Sequence, residues 1–169
     1  MKAVVTLSKK FFPQHPRKGE ETLFREKVLS GSKRHTCRSN YEYWKEKVDR
    51  LKEVGGVLSV RQWSANPYRS PQEIITDIPA ELVGVQKLIL HREKEVTEHH
   101  AVGTPEPVAV ITNYEYTAVV DGYNTPVELL AVNDGLTPEE YKAWFSPVFD
   151  KEKADTLEFA IIHFTKERY

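Results

Sequence analysis

The sequence has a single cysteine, Cys37, which excludes an internal disulfide framework and a zinc cage built from cysteines of this chain alone. Long apolar runs are also missing. The opening MKAVVTLSKK is a short apolar stretch between lysines, far below a secretory core or a membrane span, so the expectation is a cytoplasmic protein with no membrane partner. No repeat, low-complexity tract or linker divides the 169 residues, and they read as a single domain, residues 1–169, with one core. A net charge of −1 excludes bulk attraction as the sole basis for binding nucleic acid.

What is present is ordinary for a folded interior: 40% hydrophobic residues, with three Trp, eight Tyr and seven Phe. The charge is unevenly spread. Residues 1–40 hold ten Lys or Arg against three acids, whereas the other 129 residues hold 14 against 22. That asymmetry points to a basic patch on the N-terminal quarter and to an anionic or electron-rich ligand.

AVVTL predicts a strand, and KKFFPQHPRKGEE predicts a loop because Pro13, Pro16 and Gly19 interrupt any regular period. A short helix is expected over 22–30, with Phe24 and Val28 four apart and Gly31 at its left-handed stop. NYEYWKEKVDRLKEVGG predicts a second helix, capped by Asn40, with Trp44, Val48 and Leu51 on one face. A third is expected over 137–145, where Thr137 and Glu140 form a capping box, Pro138 fits the first turn, and Tyr141, Trp144 and Phe145 make an apolar stripe. GVLSVRQW, EIITDI, LVGVQKLIL, PVAVIT, YTAVV and TLEFAIIHF are strand candidates, and HREKEVTEHHAVGTPEP reads as an exposed loop or hairpin tip. Strands interrupted by a few short helices, without regular alternation, indicate an α+β fold on an antiparallel or mixed sheet able to close into a barrel. Trp44, Val48, Leu51, Trp144, Phe145, Phe159 and Ile161 are the expected core.

One stretch concentrates chemistry. The helix ending in VLSGSKRHTCR carries the pattern G-x-K-x-x-T-x-R at Gly31, Lys33, Thr36 and Arg38. With LLAVNDGLTPEEYKAWF and the closing LEFAIIHF, it resembles the ASCH domain, a small β-barrel of the PUA-like superfamily. The resemblance implies a PUA-like β-barrel with a few short flanking helices and insertions at about 9–20 and 91–107. It further implies a cleft lined by the motif, an RNA or nucleotide ligand, and no cofactor. One branch of that family removes the acetyl group from N(4)-acetylcytidine with a lysine, a threonine and an acid, which correspond to Lys33, Thr36 and Asp134 here. Aspartate stands where that branch has glutamate, one methylene shorter.

The residue chemistry can be stated independently. A threonine hydroxyl becomes a nucleophile only when a base takes its proton, and a lysine serves as that base only if burial or positive neighbours lower its pKa from about 10.4. Arg34 and Arg38 can supply that charge, and Asp134 can protonate the leaving nitrogen or hold the lysine. Asn133-Asp134-Gly135 is equally ordinary turn chemistry. Thr36 and Arg38 share a face of an extended chain, and Lys33 joins it only if the backbone bends after Gly31. His35 and Cys37 are expected to point into the core. In RQWSANPYR, Arg61 and Trp63 share a strand face and Tyr68 with Arg69 follows a Pro turn, a set suited to stacking a base or, for Trp63, to core packing. His91, His99 and His100 offer no preset metal geometry, since adjacent strand residues face opposite ways. The ligand-binding candidates are therefore Gly31, Arg34, Arg38, Arg61, Trp63 and Asn133, and no metal site is expected. Binding of RNA or a nucleotide-like ligand is the favoured reading, ahead of an amidohydrolase and a non-catalytic scaffold.

Overall fold

A computed structural model describes residues 1–169, and its first strand shows what shapes the sheets. In β1 (Lys2–Leu7), Ala3, Val5 and Leu7 are buried and alternate with more exposed neighbours, the two-residue period of a half-buried strand. The chain continues through α1 (Phe24–Leu29), β2 (His35–Arg38), α2 (Tyr41–Glu53), β3 (Val57–Trp63), β4 (Gln72–Pro79) and β5 (Gly84–His100). It ends with β6 (Pro107–Val120), β7 (Tyr123–Asn124), α3 (Val127–Asn133), α4 (Pro138–Glu152) and β8 (Thr156–His163).

The eight strands form two sheets of an α+β fold. One has the order β1-β3-β4, with β1 parallel to β3 and β3 antiparallel to β4. The other has the order β2-β8-β5-β6-β7, antiparallel throughout. Helix α2 packs on β1, β5 and β8 through Val48 and Leu51, closing a single core that includes Leu58, Val60, Leu88, Phe149 and Ile161. Each such buried apolar side chain contributes about 1.5–3 kcal/mol. No helix is long and apolar enough to cross a membrane.

Local signals place the helices well. The Thr137 hydroxyl accepts from the Glu140 amide at 3.2 Å, and the Glu140 carboxylate accepts from the Thr137 amide at 2.9 Å, which closes the capping box. Asn40 caps α2 by accepting from the Tyr43 amide. Helix α4 runs past the expected end at 145 and through Pro147, because Phe149 one turn further is fully buried.

Other expectations need correction. PVAVIT and YTAVV belong to one strand, β6, and most of 91–107 is ladder instead of loop. Residues on β5 and β6 pair from Leu88↔Val120 out to His100↔Pro107, leaving only 101–106 as the hairpin tip. The run of Val, Ile, Thr and Tyr in β6 keeps this arm paired although both its faces are exposed from Glu93 to Glu115. HTCR forms β2, and 127–133 forms α3; the sequence reading assigned neither. Trp44 and Trp144 are only partly buried, Trp44 because its ring packs edge-on to Tyr43 at the surface and Trp144 because it lines a pocket.

Candidate ligand site

Gly31 ends α1 with φ +80°, and the Lys33 amide then donates to the Lys27 carbonyl at 2.9 Å. This is the bend that turns Lys33 inward. Its side chain, 2% exposed, reaches the C-terminus of α3, where Asp134 is 6% exposed. The amine donates to the Asp134 carbonyl at 2.6 Å and to the Asp134 carboxylate Oδ1. It also sits 4.0 Å from the centre of the Phe24 ring, a cation–π contact from α1. Glycine suits position 135: its φ is +78°, and a Cβ there would crowd the Lys33 Cβ at 3.2 Å.

Thr36, 4% exposed, and Arg38 extend the site from β2. The Arg38 guanidinium donates to the Thr36 hydroxyl at 2.9 Å, to the Cys37 carbonyl at 2.7 Å and to the Thr6 carbonyl of β1 at 2.6 Å. It therefore ties the two sheets together at the site. Lys33, Thr36, Arg38 and Asp134 share the wall of a pocket of about 30 Å³, which Phe24 and Trp144 close from α1 and α4. That volume admits one water-sized group.

Two larger clefts adjoin this small pocket. One of about 640 Å³ lies between the loop after β1 and the loop after β3, and shares Leu7 and Ser8 with it. The other, about 710 Å³, shares Cys37, Arg38, Trp144 and Phe145. Phe12 lines both clefts.

Burial governs the electrostatics. It pulls the Lys33 amine below the ordinary lysine value against the attraction of Asp134, and pushes the Asp134 carboxyl up against the attraction of Lys33. The Arg38 guanidinium is lowered by burial, and the Cys37 thiol is pushed up by burial, so Cys37 stays a thiol.

The remaining candidates divide. Trp63 lines the 640 Å³ cleft, whereas Arg61 is held by the Ser59 hydroxyl at 3.0 Å and lines neither that cleft nor the small pocket. Gly31 is exposed and acts on the site only through the bend. Arg34 and Asn133 lie apart from Lys33, because Arg34 takes the opposite side of the chain and pairs with Glu167, while the Asn133 amide donates to the Tyr169 hydroxyl at 2.9 Å. Neither lines the Lys33 pocket; both line a separate depression beside Tyr169.

His35, 1% exposed, faces Tyr169, whose hydroxyl lies 2.7 Å from its Nε2, and its Nδ1 has no hydrogen-bond partner. Ligand atoms of His35, Cys37 and Asp134 lie within 4.8 Å of one another, a nitrogen, sulfur and oxygen set able to meet a zinc-like ion. The Lys33 amine already supplies a cation to Asp134 there. The cluster was not anticipated, since residue 134 reaches this place only through tertiary packing; the same-face spacing of 35 and 37 was its sole sequence signal. Phe24 was missed as a site residue for the same reason.

Comparison of the chain with family models, curated proteins and solved structures found no match.

Proposed function

We propose that the chain binds RNA or a nucleotide-like ligand at the Lys33 site, in the manner of an ASCH domain, and that the two sheets are parts of a PUA-like β-barrel with insertions at about 9–20 and 91–107. One observation carries this reading: Lys33, Thr36 and Arg38 from the motif and Asp134, far along the chain, converge on a single concave wall between two larger clefts. A nucleotide is too large for the small pocket, so its body lies in a cleft and one polar group reaches Arg38. That guanidinium spends donors on Thr6, Thr36 and Cys37 and keeps others for an acceptor on the ligand.

Titration of labelled single-stranded RNA by fluorescence anisotropy tests the reading. Arg38→Ala is expected to weaken binding by about 1–3 kcal/mol, and rising salt is expected to weaken it in the wild type. Absence of binding to RNA or mononucleotides at low salt would leave the scaffold reading in place.

A second reading, removal of an acyl group from N(4)-acetylcytidine, is favoured by a buried lysine of lowered proton affinity on the same wall as a threonine hydroxyl. The Lys33 amine bonds to Asp134 and the Thr36 hydroxyl is held by Arg38, an arrangement that favours binding over this catalysis.

A further inference from the structure

Trp63 closes β3 and Tyr68 follows on the next loop. Their ring centres are 5.2 Å apart with planes tilted 50°, an open wedge in place of a closed stack. Tyr68 is 89% exposed and holds a left-handed backbone, φ 61°, so a large aromatic ring is kept in solvent at a conformational cost. The loop is fixed from several sides. The Ser64 amide donates to the Pro71 carbonyl at 2.9 Å, the Ser70 hydroxyl accepts from the Ala65 amide at 3.0 Å, and it donates to the Asn66 carbonyl at 2.8 Å. Across the 640 Å³ cleft, the Lys9 amine donates to the Ser64 carbonyl at 2.8 Å and joins the two walls. Phe11 and Phe12 bring the aromatic residues of the wall to four, and Lys10 is exposed and makes no ion pair. With Lys9 and Lys10 against Glu21 alone, the lining is net positive.

Aromatic faces beside lysines suit a nucleobase with its phosphate, and base–aromatic stacking tolerates any base. The cleft falls in the size range of small-ligand sites, yet it is separate from the water-sized pocket at Lys33 and meets it only at Leu7 and Ser8. We propose that the ligand is a single-stranded RNA segment spanning both places: one nucleotide presents a polar group at Arg38, and a neighbouring base stacks in the Trp63–Tyr68 wedge with its phosphate at Lys10. This inference rests on the RNA-binding reading and adds a second subsite to it.

The test uses a labelled single-stranded RNA decamer of mixed sequence, with CMP as a competing mononucleotide, on the full chain. Tyr68→Gly removes the ring, and glycine accepts the left-handed backbone, so folding is kept. It is expected to weaken decamer binding at least about fivefold. The quench of tryptophan emission that the decamer produces beyond CMP is expected to disappear in Trp63→Phe. Unchanged decamer affinity in Tyr68→Gly, with loss in Arg38→Ala, overturns the second subsite and leaves the RNA-binding reading standing. Loss in Tyr68→Gly but none in Arg38→Ala supports the wedge and overturns the Lys33 site as the point of recognition. No binding of either probe by the wild type overturns both.

Discussion

Lys33 and Asp134 stand 101 residues apart in sequence and meet in the interior, where one amine donates to both the backbone carbonyl and the side-chain carboxylate of the same aspartate. Burial opposes the charge on each, so their association depends on geometry that lets the two charges compensate each other. Removing one member leaves the other uncompensated: Lys33→Ala and Asp134→Ala are each expected to cost about 3–5 kcal/mol. The double variant Lys33→Met with Asp134→Leu, which fills the space with apolar atoms, is expected to recover most of that loss. Urea denaturation midpoints of the three variants decide. A double variant no more stable than the singles would show that the pair is favourable beyond satisfying its own burial.

His35 and His163 provide the pH dependence. Their ring centres lie 5.6 Å apart, and each has one buried ring nitrogen without a hydrogen-bond partner, His35 Nδ1 and His163 Nε2. Burial, reinforced by the Lys33 charge, holds His35 well below the usual histidine value; burial, reinforced by His35, brings His163 down to about 3. Both folded-state values lie below those of the unfolded chain, so the unfolded state binds more protons once the pH drops below about 6.5. Stability is therefore full above about pH 6.5 and falls as the pH drops, by about 1.4 kcal/mol per pH unit for each histidine. His163→Phe is expected to halve the slope between about pH 6.5 and about pH 5 in urea midpoints. An unchanged slope would mean that other groups govern acid unfolding.

Legibility in the sequence followed the range of each interaction. The capping box of α4, the Asn40 cap and the stop at Gly31 are bonds among residues a few positions apart, and the residue types alone indicated them. The alternation of β1 was readable for the same reason, and β8, buried on both faces from Phe159 to His163, showed as an apolar run. The pairing of Lys33 with Asp134 was reachable only through the likeness of the motif to a family, because nothing local to either residue specifies the other. The loop 9–20 was read as irregular from Pro13, Pro16 and Gly19, yet Phe11 and His15 are buried, with ring centres 4.4 Å apart, and pack around Trp144. No periodicity announces such packing. Helix α3 escaped because the apolar but exposed Leu129 and Val132 blur the stripe of Val127, Leu130 and Ala131 that it buries.

The β5–β6 arm tests how far the core extends. From Glu93 to Glu115 its residues are exposed, and the last side chains joined to the body are Arg92, which donates to the Asp150 carboxylate at 2.8 Å, and Tyr116, whose ring stands 5.9 Å from that of Phe149. Lys94 and Tyr114 face each other in register. Replacing residues 95–113 by an Asn-Gly turn, which suits a two-residue hairpin, is expected to change stability by no more than about 1 kcal/mol. A larger fall in the thermal midpoint would show that the arm supports the body.

Catalysis makes the most exacting demand on the site. In the amidohydrolase reading, the Thr36 hydroxyl attacks the acetyl carbonyl of N(4)-acetylcytidine and its proton passes to neutral Lys33. The carbon–nitrogen bond then breaks as the cytosine amine takes up a proton relayed through Lys33 and Asp134, and water hydrolyses the acetyl-threonine ester to acetate. Neutral Lys33 is helped by burial, which lowers its proton affinity, but Thr36 must first exchange its bond from Arg38 for one to Lys33. If the three residues act as one unit, Lys33→Ala, Thr36→Val and Asp134→Asn each abolish release of acetate and cytidine as fully as the triple variant does. Thr36→Ser, which keeps the hydroxyl, is expected to retain activity, and Asp134→Glu to raise it if the missing methylene limits the reach of the acid. Chromatography of the products separates these outcomes, and binding of the intact nucleoside, followed in parallel, shows which variants still fold. Should wild type and Asp134→Glu both bind the nucleoside and leave it intact, the pocket is a recognition site, and the Lys33–Asp134 pair serves to hold its wall in place.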